Sequence, residues 1–154
     1  MRAPVLLMLA LLVAGCTSTQ VELPAQDAPG EDVSQVPRYE PSVRVSYDRY
    51  TLGGVVYTDV EYYTRDGLER VREFYMREMD ARGWDLARKE PAEGAVLPFR
   101  GAKAGASWYI DFKRKECTSL EGCLPYVAMT LASFTANGEE YTYIGISFRE
   151  VAEG

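Results

Sequence analysis

Three cysteines are the residues whose type and placement carry the most chemistry in this chain: Cys16, Cys117 and Cys123. A thiol can take a covalent group, ligate a metal or join a second thiol, and its surroundings decide which. The sequence holds no histidine. That removes Ser-His-Asp and Cys-His catalysis and the His-based zinc sites. Ser107 stands in Gly105-Ala106-Ser107-Trp108-Tyr109, which lacks the second glycine of a nucleophile elbow. No calcium loop, P-loop or dinucleotide fingerprint is present. Asp59, Glu61 and Asp111 fall on candidate strands, so a carboxylate pair assembled in space is the acid–base arrangement left open. Outward carboxylates on strands are ordinarily just solvated, and the expectation is a protein that is not an enzyme.

Cys16 closes an apolar run, residues 3–14, that follows the single charge of Arg2. The run is shorter than the roughly 20 residues a membrane-crossing helix needs. A charged start, a short apolar centre and small residues at the end are the layout of a secretory signal. An ordinary signal ends in an A-x-A-like site. Here Leu12-Val13-Ala14-Gly15-Cys16 ends the run, and this resembles the lipobox of bacterial lipoproteins, with Val13 where the family often has Leu. The resemblance implies cleavage before Cys16, a diacylglycerol on its thiol and fatty acylation (palmitate) of the new amino terminus. Each buried methylene contributes ~0.8 kcal/mol, and two or more chains make a durable anchor. Thr17 stands where enteric family members retained in the inner membrane carry Asp, which implies the outer membrane.

With Cys16 assigned to lipid, Cys117 and Cys123 remain. An even pair in an exported protein reads as a disulfide. So short a loop gives ~2 kcal/mol by chain entropy. Two free thiols are the alternative, and a metal site would lack further soft ligands. No cofactor is expected beyond the covalent lipid.

The chain carries 17 basic and 23 acidic residues, a net charge of -6. That argues against a nucleic-acid partner, whose binders concentrate positive charge. It argues equally against broad adhesion to anionic lipid heads. Lys113-Arg114-Lys115 is a basic run whose first reading is a solvated strand end, the other being contact with lipid phosphates or lipopolysaccharide.

Three regions follow: a signal peptide at 1–15, an acylated cysteine with a flexible linker at 16–41, and a single domain at 42–154. The linker holds Pro24, Pro29, Pro37 and Pro41 and the acids Glu22, Asp27, Glu31, Asp32 and Glu40 against Arg38. Such composition buries too little surface to fold alone. As a coil it spans roughly 25–30 Å and would hold the domain clear of the lipid heads.

Within the domain, alternation predicts strands near 43–47, 55–63, 84–89, 107–115, 126–135 and 140–149. Leu68, Val71, Tyr75 and Met79, widened by Phe74, make the apolar stripe of a helix. Thr64 is its expected N-cap and Gly83 its left-handed stop, with Trp84 folding back on the core. Glu73–Arg77 and Glu78–Arg82 are four apart in the favourable order. Asn137-Gly138 predicts a tight hairpin. Placing Ala136 opposite Glu139 pairs Leu131 with Ile144, Met129 with Ile146 and Val127 with Phe148, giving one wholly apolar face. The expected fold is α+β, one amphipathic helix packed on an antiparallel sheet of about five strands.

Val71-x-x-Phe74-Tyr75 with Gly83-Trp84 also resembles the helix of small uncharacterised bacterial lipoproteins, which implies a related fold and no activity. Tyrosines fill many strand positions; packing of sheet faces and edges is their first reading, and partner docking the functional one. The partner-docking candidates are Tyr109, Phe134, Tyr141 and Tyr143. The functional expectation is an outer-membrane-anchored periplasmic lipoprotein, a binding or scaffolding module with an envelope protein as partner. The alternative is a small-ligand carrier or sensor using the Pro- and Gly-rich loop 90–105 and the cleft beneath it.

Overall fold

A computed structural model describes residues 19–118 and 122–153. Cys16 and the apolar run before it lie outside the described residues. Among the described residues the elements are β1 (Val43–Leu52), β2 (Val55–Thr64), α1 (Leu68–Ala81), β3 (Trp84–Pro91), β4 (Lys103–Arg114), β5 (Tyr126–Ala136) and β6 (Glu139–Val151). The strands form one antiparallel sheet in the order β1-β2-β6-β5-β4-β3. The architecture is α+β as expected, but the sheet has six strands rather than about five. All six candidate strands join the sheet, the short segment at 43–47 continuing to Leu52 and turning through Gly53-Gly54, both at positive φ, so that it pairs along β2 from Val55 to Tyr63. Helix α1 carries the chain from β2, second from one edge, to β3 at the other edge, and β3 to β6 then meander back to β2.

The β5–β6 hairpin has the register the sequence predicts: Ala136 opposes Glu139, Leu131 opposes Ile144, Met129 opposes Ile146 and Val127 opposes Phe148. Asn137 and Gly138 both take positive φ at its turn. These apolar pairs form one face with Val60, Tyr62, Ile110 and Phe112, and α1 covers it with Leu68, Val71, Tyr75 and Met79.

Two helix expectations are corrected. The N-cap is Gly67, with no side-chain cap. Thr64 is the last residue of β2; its hydroxyl donates to the Pro41 carbonyl and accepts the Asp66 N–H. Three residues are consumed in turning from strand to helix, so the hydroxyl caps that turn instead. The ion pairs of α1 are also different: Arg72 pairs with Glu69 and Arg77 with Glu78, while Arg70 lies 3.8 Å from Asp66. Arg77 turns away from Glu73 to lie over the Phe74 ring, 6.0 Å from its centroid, and Arg72 lies 4.5 Å from that of Trp108. The stop is as expected, with Gly83 left-handed and Trp84 buried behind it.

The largest correction concerns the segment read as a flexible linker. Residues 19–42 form a strap laid over the domain, so the folded unit starts well before residue 42. Val33, Val36 and Tyr39 join the helix-side core, and Tyr39 meets Phe74 edge-on at 5.0 Å. The acids are pinned rather than solvated. Arg38 donates to both oxygens of Asp27 at 2.7 and 2.8 Å, and Arg44 meets Asp32 at 2.6 Å. Asp32 also accepts from Tyr62 at 2.8 Å. The Arg38 hydrogen bond holds the Asp27 carboxyl below the usual range, at about 2. A segment of this composition does not fold alone, but it can add a few apolar side chains to a core built by others.

Candidate functional site

Each strand has a second face, turned away from α1. Two rows of this face cross the sheet from edge to edge. One runs Asp48, Asp59, Ser147, Ala128, Asp111, Arg88 from β1 to β3. The next runs Ser46, Glu61, Gly145, Thr130, Tyr109, Glu90. The two middle strands therefore contribute only Ser, Ala, Gly and Thr, while the flanking strands contribute acids, tyrosine and arginine. Small residues between large ones leave a trough, an open cleft of about 540 Å³.

The trough is acidic. Asp48, Asp59, Glu61 and Asp111 line it against one cation, Arg88. Asp111 is the buried member, only 3% exposed. Its Oδ2 accepts from Arg88 Nε at 2.7 Å, and the Tyr126 hydroxyl is a further donor beside the carboxylate; among the described residues its Oδ1 has no well-aligned hydrogen-bond partner. On the opposite wall the Oδ2 of Asp59 accepts from Tyr50 at 3.3 Å, and its Oδ1 is likewise without a partner. Glu61 differs: Ser46 and Tyr143 donate to its two oxygens at 2.5 and 2.7 Å. Burial, reinforced by that carboxylate, pushes the Tyr143 phenol well above its ordinary pKa, so it stays a donor.

Tyr143 reaches Glu61 by leaning over Gly145, where a Cβ would come 2.6 Å from its hydroxyl. The glycine is thus required for the tyrosine to form the wall of the trough. At the far rim Arg149 lies between the rings of Tyr57 and Tyr126, 5.4 and 5.5 Å from their centroids. Burial first, then the Asp111 carboxylate, raises the Tyr126 phenol above its ordinary value.

The geometry limits the chemistry. Asp59 and Asp111 are three strand spacings apart, about 14 Å across the sheet. That exceeds the roughly 5–9.5 Å of a glycosidase's acid–base pair, whereas Asp48 opposes Asp59 directly and Glu61 lies two residues from Asp59 on the same face. Among the described residues no group of three or more His, Cys, Asp or Glu is placed to hold a metal ion. What the arrangement offers is two unsatisfied carboxylate oxygens on opposite walls, with hydroxyls between them.

Of the docking candidates, Tyr109 and Tyr143 line this trough. Phe134 and Tyr141 do not; both are buried, stacked on each other, in a second apolar cluster with Phe99, Tyr63 and Val21. Alternation correctly placed the four on one face but gave no sign that the strap and the loop before β4 would cover its lower half. Phe99 of the 90–105 loop stacks on Phe134 at 4.9 Å, and an open cleft lies beside Gly101 and Lys103 of the same loop. The residues that sequence reading set aside are Asp59 and Asp111, taken as solvated.

Cys117 and Cys123 form a disulfide, with a Cα–Cα distance of 5.9 Å. The neighbouring basic run is engaged by the fold itself: Arg114 stacks 4.1 Å over Trp84, Lys113 donates to the Cys117 carbonyl, and Lys115 meets Asp80 at 3.2 Å.

No protein-family model and no solved structure matches this chain. An uncharacterised protein of Archaeoglobus fulgidus is 33% identical to it over 109 residues, covering 66% of this chain and 37% of that protein. The chain therefore spans little more than a third of that relative's length.

Proposed function

We propose that this protein is an exported, lipid-anchored binding module, held at the outer membrane through Cys16, and that its trough takes a ligand bearing two cationic groups. The observation that carries the reading is the buried Asp111 carboxylate on the wall of an acidic cleft, whose Oδ1 has no well-aligned partner among the described residues. Leaving such an oxygen unsatisfied costs stability, and an ammonium or guanidinium donor arriving from the cleft offsets that cost. The matching orphan on Asp59, about 14 Å away across the sheet, calls for a second cation at that separation. A linear polyamine or a segment with two basic side chains has this chemistry. Thr130, Ser147 and Tyr109 supply polar contacts in between.

Export and anchoring are supported by the lipobox-like sequence at 12–16 and by the Cys117–Cys123 disulfide, which suits an oxidising compartment.

The test is thermal unfolding of the purified full chain with spermine, putrescine, an Arg-x-x-x-Arg peptide and neutral analogues. Dications of matching span raise the Tm by mass action. If neutral analogues stabilise as well as the dications, the cleft does not read charge and the proposal fails.

A further inference from the structure

The strap has one fixed point close to its start. The side chain of Asn137, in the β5–β6 turn, accepts from the Val21 N–H and donates to the Val21 carbonyl, both at 2.8 Å. Val21 is buried beside Tyr63, Phe99 and Phe134, and the Cβ that Gly101 lacks would touch it at 3.6 Å. The chain thus leaves the domain at one defined corner, where Thr19 and Gln20 lie beside Lys103, Thr135 and Gly138.

Between Cys16 and Val21 only a few peptide units remain. Fully extended, they reach at most roughly 18 Å. Strand β6 alone, at 13 residues, is about 43 Å long. The leash is therefore much shorter than the domain it holds. The opposite end of the sheet carries the β1–β2 turn at Gly53-Gly54 and the Cys117–Cys123 loop.

Given acylation of Cys16, on which this rests, we infer that the domain stands on the membrane with its β5–β6 turn end against the lipid headgroups and its disulfide loop pointing away. This end exposes Arg65, Arg100 and Lys103 but also Glu139 and Glu140, so the short leash, and not a charge bias, fixes the orientation. The trough sits in mid-sheet: Gly145 is about 20–25 Å along β6 from Gly138. It opens sideways above the headgroup layer, within reach of a ligand in the aqueous space.

The experiment uses the full acylated chain in phosphatidylcholine vesicles that contain a headgroup-nitroxide lipid. A fluorophore is placed by Lys103→Cys in one sample and by Thr51→Cys, at the opposite end, in another, with the native disulfide kept oxidised. The expected result is quenching several-fold stronger at position 103 than at 51. Inserting about twelve Gly and Ser residues before Thr19 adds roughly 20 Å of slack and should bring the two signals close together, while leaving Val21 pinned. Equal quenching in the uninserted, lipidated protein overturns the orientation alone. Mass analysis that finds no lipid on Cys16 overturns the anchor and the orientation together.

Discussion

The two faces of the sheet are built from the same six strands and the same alternation, yet one is closed and the other half open. On the helix side every central strand contributes a large apolar residue, and α1 and the strap fill the remaining space. On the other side the half nearest the β5–β6 turn is closed by Phe99 and Val21, and the half beyond it is lined by acids over a floor of small residues. The difference lies in what each face is given to cover it. A face with large apolar side chains draws a distant segment onto it; a face with Ala128, Thr130 and Ser147 at its centre leaves room for something that is not part of the chain.

The sharpest way to break this comparison is to truncate matched positions on the two faces. Phe112 and Asp111 are neighbours on β4, both buried, pointing opposite ways. Phe112→Ala should cost about 4 kcal/mol in denaturant unfolding, because it empties a filled core. Asp111→Asn should change stability by less than about 1 kcal/mol, because losing the ion pair with the half-exposed Arg88 is offset by relief of a buried charge with one poorly satisfied oxygen. Comparable losses at both positions would make Asp111 a structural ion-pair member and the trough incidental.

The strap is tested by Tyr39→Ala. It removes the edge-on contact with Phe74 and the hydrogen bond that Tyr39 donates to Asp66, and should cost about 3 kcal/mol. Limited proteolysis should then cut within residues 19–42 well before the sheet. A linker that merely rests on the surface would show no change in unfolding.

The smallest effect is a pH dependence of the same strap. Asp27 is held at about 2, chiefly by the hydrogen bond from Arg38. A carboxyl lowered by folding stabilises the folded form above its unfolded pKa, near 4, and loses that contribution as pH falls towards 2. Amide exchange in residues 19–42 should therefore speed up between about pH 4 and 2, and Asp27→Asn should remove that step. With 38% of the Asp27 side chain exposed, solvent screening keeps the effect modest.

Much of the fold is legible in the sequence where local rules decide it. Asn137-Gly138 sets the hairpin, and the hairpin register then dictates which residues of β5 and β6 share the core face. The helix stripe and its stop at Gly83 follow from spacing and backbone freedom. The strap was not legible, because Val21, Val33, Val36 and Tyr39 have no period; each fills a slot shaped by residues far along the chain. The trough was not legible for a related reason. Its small-residue floor appears only when β2, β6, β5 and β4 are set side by side, and irregularities at 44/46, 86/88 and 104/107 shift the outer strands' register. Alternation shows that Asp111 and Tyr109 share a face, but not that Asp111 ends up buried.

The central claim is that the open half of the helix-free face is a binding site with Asp111 as its buried anion. The measurement that tests it most directly is calorimetric titration of spermine into the full chain and into its Asp111→Asn and Asp48→Asn variants. The account predicts saturable binding to the parent protein, at least about tenfold weaker binding to Asp111→Asn, equivalent to about 1.4 kcal/mol, and a much smaller change for the exposed Asp48. Absence of binding to the parent protein, or equal weakening by both substitutions, would contradict it.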